Sequence, residues 1–455
     1  MNRREFIKTS LLASGALALS SCIRGGFKTG SDTQKAMEMR TDSHGTAVSL
    51  LGYGCMRWPT IPPQKGQEDK REIDQEMVNR LVDYALENGV NYFDTAPVYC
   101  QGQSEKATAT ALLRHPRNSY LIATKLSNQN GDKTLSEGQK MFENSLSIFQ
   151  TDYIDYLLLH NLGGEEAFKE RFLDNGLLDW LMEQRKKGRI RNLGFSFHGA
   201  PAGFDAILNW HEKVHWDFVQ IQMNYIDWKH AGQSGSWQGK RAANAEYLYG
   251  KLAEKDIPVV IMEPLLGGRL ANLPEGPTQR LKKREPELSV ASWAFRFSGS
   301  FPKVLTILSG MTYMEHLQDN IETFSHFRPL SEEDKSFLEE TARMILNFPL
   351  IDCTDCQYCM PCPYGINIPR VFAHYNHCVN EDYIPQDSTS KDYREKRRAY
   401  LIHYDRIVPR ERQAGHCIQC GECLKHCPQQ IDIPKMMQKI DRYTEKLRRE
   451  NPAEI

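Results

Sequence analysis

The sequence lacks a long apolar run and lacks an excess of charge of either sign. Lys and Arg number 57, and Asp and Glu number 58, so the formal net charge is −1. A protein that follows a phosphate backbone carries a surplus of basic residues, so a nucleic-acid partner is not predicted. No stretch of about 18 or more apolar residues is present to span a bilayer. With 455 residues, 40% of them hydrophobic, the chain is long enough for a large globular domain and a small second one.

Eight of the twelve cysteines stand in two runs near the C-terminus. The first run has the spacing C-x2-C-x2-C-x2-C and consists of Cys353, Cys356, Cys359 and Cys362. The second has the spacing C-x2-C-x2-C-x3-C and consists of Cys417, Cys420, Cys423 and Cys427. A proline follows each run. The second spacing is that of bacterial ferredoxins, in which three thiolates of one loop hold one cubane and the fourth ligates the other cluster.

Zinc and disulfides account for these runs less well than iron–sulfur clusters do. Structural zinc sites use two C-x2-C pairs, which would leave half of the thiols without a role. Cysteines separated by only two residues seldom meet disulfide geometry. The spacing therefore predicts two 4Fe–4S clusters.

Together the two runs resemble a two-cluster ferredoxin module that covers about residues 353–434, with the similar tails G-I-N-I-P at 365–369 and Q-I-D-I-P at 430–434. This resemblance implies that the ligands are exchanged between the runs. One cluster would be held by Cys353, Cys356, Cys359 and Cys427, and the other by Cys417, Cys420, Cys423 and Cys362. The first run has one residue fewer before Cys362 than the ferredoxin pattern.

The N-terminus is typical of an export signal. Arg3 and Arg4 are followed by the apolar stretch from Leu11 to Leu19 and by Leu-Ser-Ser-Cys ending at Cys22. This order resembles a twin-arginine signal with a lipoprotein cleavage box, and it predicts a periplasmic or membrane-anchored protein with a lipid anchor at Cys22. Residues 1–39 are then signal and tether. The alternative is a frayed amphipathic N-terminus with chance arginines on a cytoplasmic protein.

From about residue 40 to 330 the chain alternates strand-like and helix-like segments. The predicted strands are Val48–Tyr53, Asn91–Asp94, Tyr120–Lys125, Ile154–His160, Ile190–Phe195, Phe218–Met223, Pro258–Met262 and Val304–Ser309. Predicted helices between them include Glu76–Asn88, Leu135–Phe149, Leu177–Lys187, Ala242–Lys255 and Tyr313–Phe324. Eight such units favour an α/β fold of the (β/α)8 TIM-barrel type at 40–330. An open doubly wound sheet would want a glycine fingerprint, and Gly52-Tyr53-Gly54 lacks the third glycine.

Ionisable side chains stand at the ends of three successive predicted strands: Asp94, Lys125 and His160, with Tyr99 on the loop after the first of them. Taken singly, each is more often a helix cap, a packed ring, a solvated amine or a core histidine than a catalytic group. The chemistry of a (β/α)8 barrel lies at the carboxyl ends of its strands, so together these four residues predict an active site.

Several motifs resemble the aldo/keto reductase superfamily over roughly residues 40–325. They are F-D-T-A-P-V-Y at 93–99, A-T-K at 123–125, D-Y-L-L-L-H at 155–160, G-F-S-F-H-G at 194–199 and Q-I-Q-M-N-Y at 220–225. The resemblance implies a catalytic tetrad with Tyr99 as proton donor. Lys125, held by Asp94, would lower the pKa of the phenol, and His160 would orient a carbonyl.

The same resemblance implies an NAD(P)H site. Ser196 and Gln220 match residues that bind the nicotinamide amide. Gly267 and Gly268 match the loop that crosses the pyrophosphate, and Asp319 and Asn320 match the adenine end. Many members carry Lys and Arg for the 2′-phosphate where this chain has Gly310 and His316, which weakens a preference for NADP over NAD.

Residues 331–352 are predicted to be a helical linker before a ferredoxin-type domain at 353–455. The charged segment Asp387–Arg412 has no clear periodicity and is predicted to be a solvated connection. Cys55, Cys100 and Cys378 are interpreted as buried small hydrophobic residues.

The sequence thus predicts an oxidoreductase that interconverts a small carbonyl and alcohol by hydride transfer. Its iron–sulfur clusters would transfer electrons to or from a redox partner. The alternative is a non-catalytic redox sensor or electron carrier on a barrel scaffold.

Overall fold

The computed structural model describes residues 36–62, 71–128, 133–231 and 243–450. The predicted signal and Cys22 lie outside these residues, so export and lipidation stay predictions. No helix in the described part of the chain is long and apolar enough to cross a bilayer.

Eight parallel strands form a closed barrel with the order β10-β3-β4-β5-β6-β7-β8-β9. They are β3 (Leu51–Gly54), β4 (Tyr92–Asp94), β5 (Leu121–Leu126), β6 (Ile154–Leu162), β7 (Ile190–Phe197), β8 (Phe218–Gln222), β9 (Val259–Met262) and β10 (Val304–Ser309). The predicted (β/α)8 fold is therefore confirmed, and the open doubly wound sheet is excluded.

A short antiparallel hairpin, β1 (Met39–Thr41) and β2 (Ala47–Ser49), precedes the barrel. The hydroxyl of Tyr156, inside the barrel on β6, donates a hydrogen bond of 2.6 Å to Asp42 in the hairpin turn. Met37 is also buried. The chain therefore packs onto the barrel from Met37 onward, two residues before the predicted end of the tether at residue 39. The first predicted strand, Val48–Tyr53, is divided between β2 and β3.

Twelve helices surround the barrel in the part of the chain that the structure describes. They are α1 (Gln75–Glu87), α2 (Ser104–Leu112), α3 (Leu135–Phe149), α4 (Glu165–Phe168), α5 (Leu177–Lys186), α6 (Pro201–Leu208), α7 (His211–Val214), α8 (Asp227–His230), α9 (Ala245–Glu254), α10 (Glu275–Arg284), α11 (Val290–Gly299) and α12 (Met314–Ser325). The five predicted helices correspond to α1, α3, α5, α9 and α12. Ala242, the predicted start of the fourth, lies outside the described residues.

Four helices follow: α13 (Glu332–Leu346), α14 (Ile368–Asn380), α15 (Tyr393–Ile407) and α16 (Ile433–Arg449). Ser331 and Asp334 form a capping box at the start of α13. Leu338, Ala342 and Ile345 are buried on one face of this helix, which packs against α10. The predicted linker is thus helical, and it is also part of the barrel's outer layer.

The prediction of a solvated connection between the cysteine runs was wrong. Residues Tyr393–Ile407 form α15, which packs against α14 and α16. Its buried positions, 393, 397, 400, 401 and 404, recur at helical spacing. Charged residues occupy the positions between them and obscured this period in the sequence. One of the buried positions is also charged: Arg397, whose Nε donates a hydrogen bond to the Leu447 carbonyl at 2.7 Å.

Two neighbouring residues of α15 test its burial. Leu401 is 2% exposed, whereas Ile402 is 43% exposed. We expect Leu401→Ala to lower the free energy of unfolding of this region by about 2–4 kcal/mol and Ile402→Ala by less than about 1 kcal/mol. Anaerobic urea unfolding followed by circular dichroism measures both. Equal effects of the two substitutions would contradict the packing of α15.

Candidate active site

A buried ion pair stands at the carboxyl end of the barrel. Lys125 Nζ on β5 donates to Asp94 Oδ1 at the end of β4 over 2.6 Å and to the Thr95 carbonyl over 2.9 Å. Gln220 Nε2 donates to the other carboxylate oxygen at 3.3 Å. Burial raises the pKa of Asp94 and lowers that of Lys125, and the attraction between the two charges opposes both shifts.

Tyr99 and His160 complete the predicted tetrad beside this pair. Tyr99 lies on the short helical turn 99–102 after β4, and its ring meets the His160 ring edge-on with centroids 5.7 Å apart. The Nδ1 of His160 is hydrogen bonded to the Ser127 hydroxyl at 2.5 Å. Its Nε2 is therefore the nitrogen available to a substrate. Burial, together with the charges of Lys125 and Arg171, holds the pKa of His160 well below its ordinary value, so the ring is neutral.

The ionisation of Tyr99 differs from the expectation. The pKa of this phenol is raised well above its ordinary value, first by burial and then by Tyr358 and Asp94. Lys125 lies over the face of the Tyr99 ring, 5.0 Å from the centroid, and is already paired with Asp94. The ammonium therefore does not offset the loss of water around the phenol. Tyr99 keeps its proton at neutral pH.

One cavity of about 850 Å³ joins the tetrad to the residues predicted to bind a nucleotide. At one end it is lined by Asp94, Tyr99, His160, Ser196 and Gln220. It continues past Gly267 and Gly268 to Asp319 and Asn320, where the first turn of α12 also contributes Glu315 and His316. The structure thus brings all six predicted cofactor residues to one elongated cavity, which fits an extended dinucleotide. Of the four tetrad residues, only Lys125 is not among the residues that line the cavity.

Some of these side chains are held by their neighbours. Ser196 Oγ accepts a hydrogen bond of 2.7 Å from the Asn161 amide, and Asn320 Nδ2 donates to Ser309 Oγ at 3.0 Å. Gly267 has a φ of 68°, and a Cβ there would lie 2.5 Å from the carbonyl oxygen of Thr354. The glycine is therefore required by the close approach of the first cysteine run.

The thiols of the two runs come together crosswise, in the arrangement that the sequence predicts. Cys353, Cys356 and Cys359 lie close enough to Cys427 for their charges to interact. Cys417 and Cys423 interact likewise with Cys420 and Cys362. Among the described residues, no three of these thiols are near enough to share one metal ion. In a cubane each thiolate binds a different iron atom, so the four thiols stand apart from one another. Two groups of four free thiols that are separated in this way fit two cubane clusters.

The two runs share a backbone pattern. The second and fourth residues after the first cysteine have left-handed backbone in both, at Asp355 and Gln357 in the first run and at Gln419 and Gly421 in the second. Each run leads into a helix whose first turn contains proline, α14 after the Asn367 cap and α16 after the Asp432 cap. The two halves of the module are thus structural repeats.

The first cysteine run forms part of the wall of the active-site cavity. Cys356 and Tyr358 line the cavity with Tyr99, and so does Pro428, the residue after Cys427. The Tyr99 and Tyr358 phenols lie close enough for each to affect the pKa of the other. The cysteine group of Cys353, Cys356, Cys359 and Cys427 therefore lies beside the tetrad. We call this group the inner cysteines and the other four the outer cysteines.

Polar contacts hold the module in this position. Arg269 Nη1 is paired with Asp352 at 2.7 Å, and Arg57 donates a hydrogen bond to the Thr354 carbonyl. Further along, Gln429 Nε2 donates to Gln222 Oε1 at 3.2 Å and Asn380 Nδ2 donates to the Asn272 carbonyl at 2.9 Å.

Sequence reasoning did not single out Tyr358, Asn161 and Glu263, which are among the residues that line the cavity. Asn161 directly follows His160 and has a φ of 52°. Glu263 follows β9, and burial raises the pKa of its carboxyl while Arg57 opposes this rise. The position after a strand was an available signal for Asn161 and Glu263. For Tyr358 there was none, because it becomes an active-site residue only through the docking of a separate segment.

Residues 51–343 match the aldo/keto reductase family, and residues 352–431 match a 4Fe-4S dicluster domain. The chain belongs to the aldo/keto reductase family. It is an aldo/keto reductase-like oxidoreductase that carries a C-terminal iron–sulfur domain.

Several proteins resemble this aldo/keto reductase. YqkF of Bacillus subtilis (strain 168), described as an uncharacterized oxidoreductase, is 25% identical over 330 residues, which are 68% of this chain and 98% of YqkF. L-galactose dehydrogenase of Arabidopsis thaliana is 23% identical and covers 66% of this chain and 91% of its own. The holo form of the aldo-keto reductase AKR11C1 from Bacillus halodurans has a TM-score of 0.52 at 23% identity, with 67% and 96% covered.

A Klebsiella pneumoniae aldo-keto reductase solved in complex with NADPH has a TM-score of 0.50 at 19% identity and covers 68% of this chain and 96% of its own. At this identity the similarity concerns the fold.

The buried pair of this aldo/keto reductase yields a stability prediction. In Asp94→Asn the Lys125 ammonium loses its counter-charge, so we expect the free energy of unfolding to fall by about 3–5 kcal/mol. The double variant Asp94→Asn, Lys125→Met removes the orphaned charge and should recover most of this loss. Anaerobic chemical unfolding measures both variants. A double variant less stable than the single one would contradict the pairing.

Proposed function

We propose that this protein interconverts a small carbonyl and its alcohol by hydride transfer with NAD(P)H at the Tyr99 site. The observation that carries the proposal is the single cavity that contains the Tyr99 phenol and the neutral His160 at one end and the adenine-site residues at the other. A bound NAD(P)H would supply the hydride to the carbonyl carbon.

The residues of the chain have distinct roles in this reaction. Tyr99, kept protonated by burial, donates its proton to the carbonyl oxygen. His160, whose Nδ1 is occupied by Ser127, presents Nε2 to the same oxygen and fixes its direction. Lys125, held by Asp94, stabilises the negative charge that Tyr99 acquires as the proton leaves. In the opposite direction the same groups remove the proton from an alcohol.

The nucleotide would lie along the cavity with its amide near Ser196 and Gln220 and its adenosine near Asp319 and Asn320. Glu315 and His316 stand in the first turn of α12, at the adenine end of the cavity. A carboxylate there can accept a hydrogen bond from a ribose hydroxyl and repels a 2′-phosphate. This arrangement favours NAD over NADP.

We further propose that two 4Fe–4S clusters exchange electrons with this site. Cys356 of the inner group and Tyr358 line the cavity, whereas the outer group contains the exposed Cys420. An external redox partner would therefore meet the outer cluster, and the inner cluster would pass electrons to the active site. Reduction of a carbonyl without nucleotide consumes two electrons and two protons. Each cluster would deliver one electron, Tyr99 would deliver the proton on oxygen, and solvent water would deliver the proton that forms the new C–H bond.

The catalytic role of Tyr99 is tested by Tyr99→Phe, which keeps the ring and removes the proton donor. We expect carbonyl reduction with NADH or NADPH to fall at least ~100-fold, the typical scale for a general acid, with nucleotide affinity unchanged. Steady-state kinetics and nucleotide titration measure these quantities. The matched control is Tyr364→Phe, because Tyr364 is 45% exposed and is not among the residues that line the cavity. Parent-level turnover in Tyr99→Phe would exclude Tyr99 as donor.

Electron exchange is tested on anaerobic protein that should hold about eight iron atoms and about eight sulfides per chain. The protein is reduced with dithionite, freed of excess reductant, and given a carbonyl substrate without added nucleotide. We expect the clusters to be reoxidised as alcohol forms, and we expect this reoxidation to be lost in Tyr99→Phe. Clusters that stay reduced, while added NAD(P)H supports normal turnover, would show that the module is not coupled to the site. Clusters and bound nucleotide without any turnover would instead favour the non-catalytic redox sensor.

A further inference from the structure

A second set of metal-ligating side chains lies in the C-terminal module, away from the cysteine runs. His374 and Cys378 stand four residues apart on α14, and His403 faces them from α15. One ring nitrogen of each histidine and the Cys378 Sγ all lie within 4.8 Å of one another. His374 and Cys378 are fully buried.

Hydrogen bonding alone satisfies this group poorly. The two Nδ1 atoms are 2.9 Å apart, and Cys378 Sγ is 3.6 Å from the same His374 Nδ1. If His374 Nδ1 carries a proton, it donates that proton to His403 Nδ1, and the Cys378 thiol is left without a strong hydrogen-bond partner. If His374 Nδ1 carries a lone pair, the His403 N–H and the thiol S–H compete for it. Neither tautomer gives all three groups a hydrogen-bond partner, whereas each of the three can offer a lone pair to a cation.

We propose that His374, Cys378 and His403 bind a zinc ion through Nδ1, Sγ and Nδ1. Zinc favours imidazole nitrogen and thiolate sulfur in a tetrahedral arrangement. With bonds of ~2.0 Å to nitrogen and ~2.3 Å to sulfur, the observed separations correspond to angles of about 90° between the imidazoles and about 110° between His374 and Cys378. Small side-chain movements bring such a set to tetrahedral geometry. The fourth position is left for water on the partly exposed side of His403.

The surroundings suit a cation there. Zinc with one thiolate and two neutral imidazoles has a net charge of +1, and the Glu381 carboxylate acts electrostatically on Cys378. The Asp405 carboxylate also acts on His374, but it is paired with Arg410 and Arg448. The rings of Tyr400 and Tyr404 enclose His374, with centroids 4.4 and 4.5 Å away. The ion would join α14, which follows the first cysteine run, to α15, which precedes the second. Its role is to hold together the two halves that contribute ligands to each cluster.

The test uses the full chain, purified anaerobically with its clusters and dialysed against a weak chelator. Metal analysis should find about one zinc per chain in addition to iron. Zinc X-ray absorption should find one sulfur at ~2.3 Å and two or three nitrogen or oxygen neighbours at ~2.0 Å. Cys378→Ser and His403→Gln should each lose most of the zinc and keep the iron and sulfide content.

His377→Gln is the matched control. The His377 ring stacks on His403 with centroids 4.2 Å apart, but it is outside the ligand set, so this variant should keep its zinc. Absence of zinc from the parent protein would overturn the proposal. So would zinc with only sulfur neighbours, which would place it among the cluster cysteines, or copper in place of zinc under the same conditions. None of these measurements depends on carbonyl reduction, so the zinc site stands or falls separately from the proposed activity.

Discussion

The buried Lys125–Asp94 pair determines what the rest of the active site must provide. Two opposite charges at the end of a barrel interact strongly only if water is kept away, and water is kept away only if something covers the strand ends. In this protein part of that cover comes from the iron–sulfur module, through Tyr358, Cys356 and Pro428. The module is therefore part of the catalytic cavity as well as a site for clusters.

This arrangement explains features that the barrel alone does not require. The left-handed Gly267 allows the backbone at Thr354 to approach the loop after β9, where any side chain would collide. Arg57 and Arg269 reach from the barrel to the first cysteine run. The same cover raises the pKa of Tyr99, because the phenol is buried and lies beside a second phenol, that of Tyr358. The proton is therefore present at neutral pH, and its transfer depends on stabilisation of the phenolate by Lys125, which lies over the ring.

Local sequence patterns sufficed wherever a residue's role depends on its own segment. The strands of the barrel and the placement of Asp94, Lys125 and His160 at their ends follow from period and spacing within short stretches. The crosswise grouping of the cysteines is implied by the resemblance to two-cluster ferredoxins. The failures were of two kinds. In α15 the buried positions carry tyrosine and arginine among many charges, so composition concealed the period. Tyr358 and the raised pKa of Tyr99 depend on contacts between segments more than 250 residues apart, which no local pattern encodes.

The two cysteine groups arise from repeated halves with the same backbone turns, yet the barrel makes their environments different. Cys356 of the inner group lines the cavity beside the tetrad, whereas Cys420 of the outer group is exposed and its neighbours Ile418 and Leu424 are 60% and 45% exposed. The reduction potential of an iron–sulfur cluster depends on solvent exposure and on hydrogen bonds to its sulfurs. Two chemically equivalent ligand sets in such unequal surroundings would therefore hold clusters of different potential. If the proposed electron exchange takes place, an ordered pair of this kind would give electrons a direction between solvent and the Tyr99 site, and the docking of one half of a repeat onto the barrel would create it.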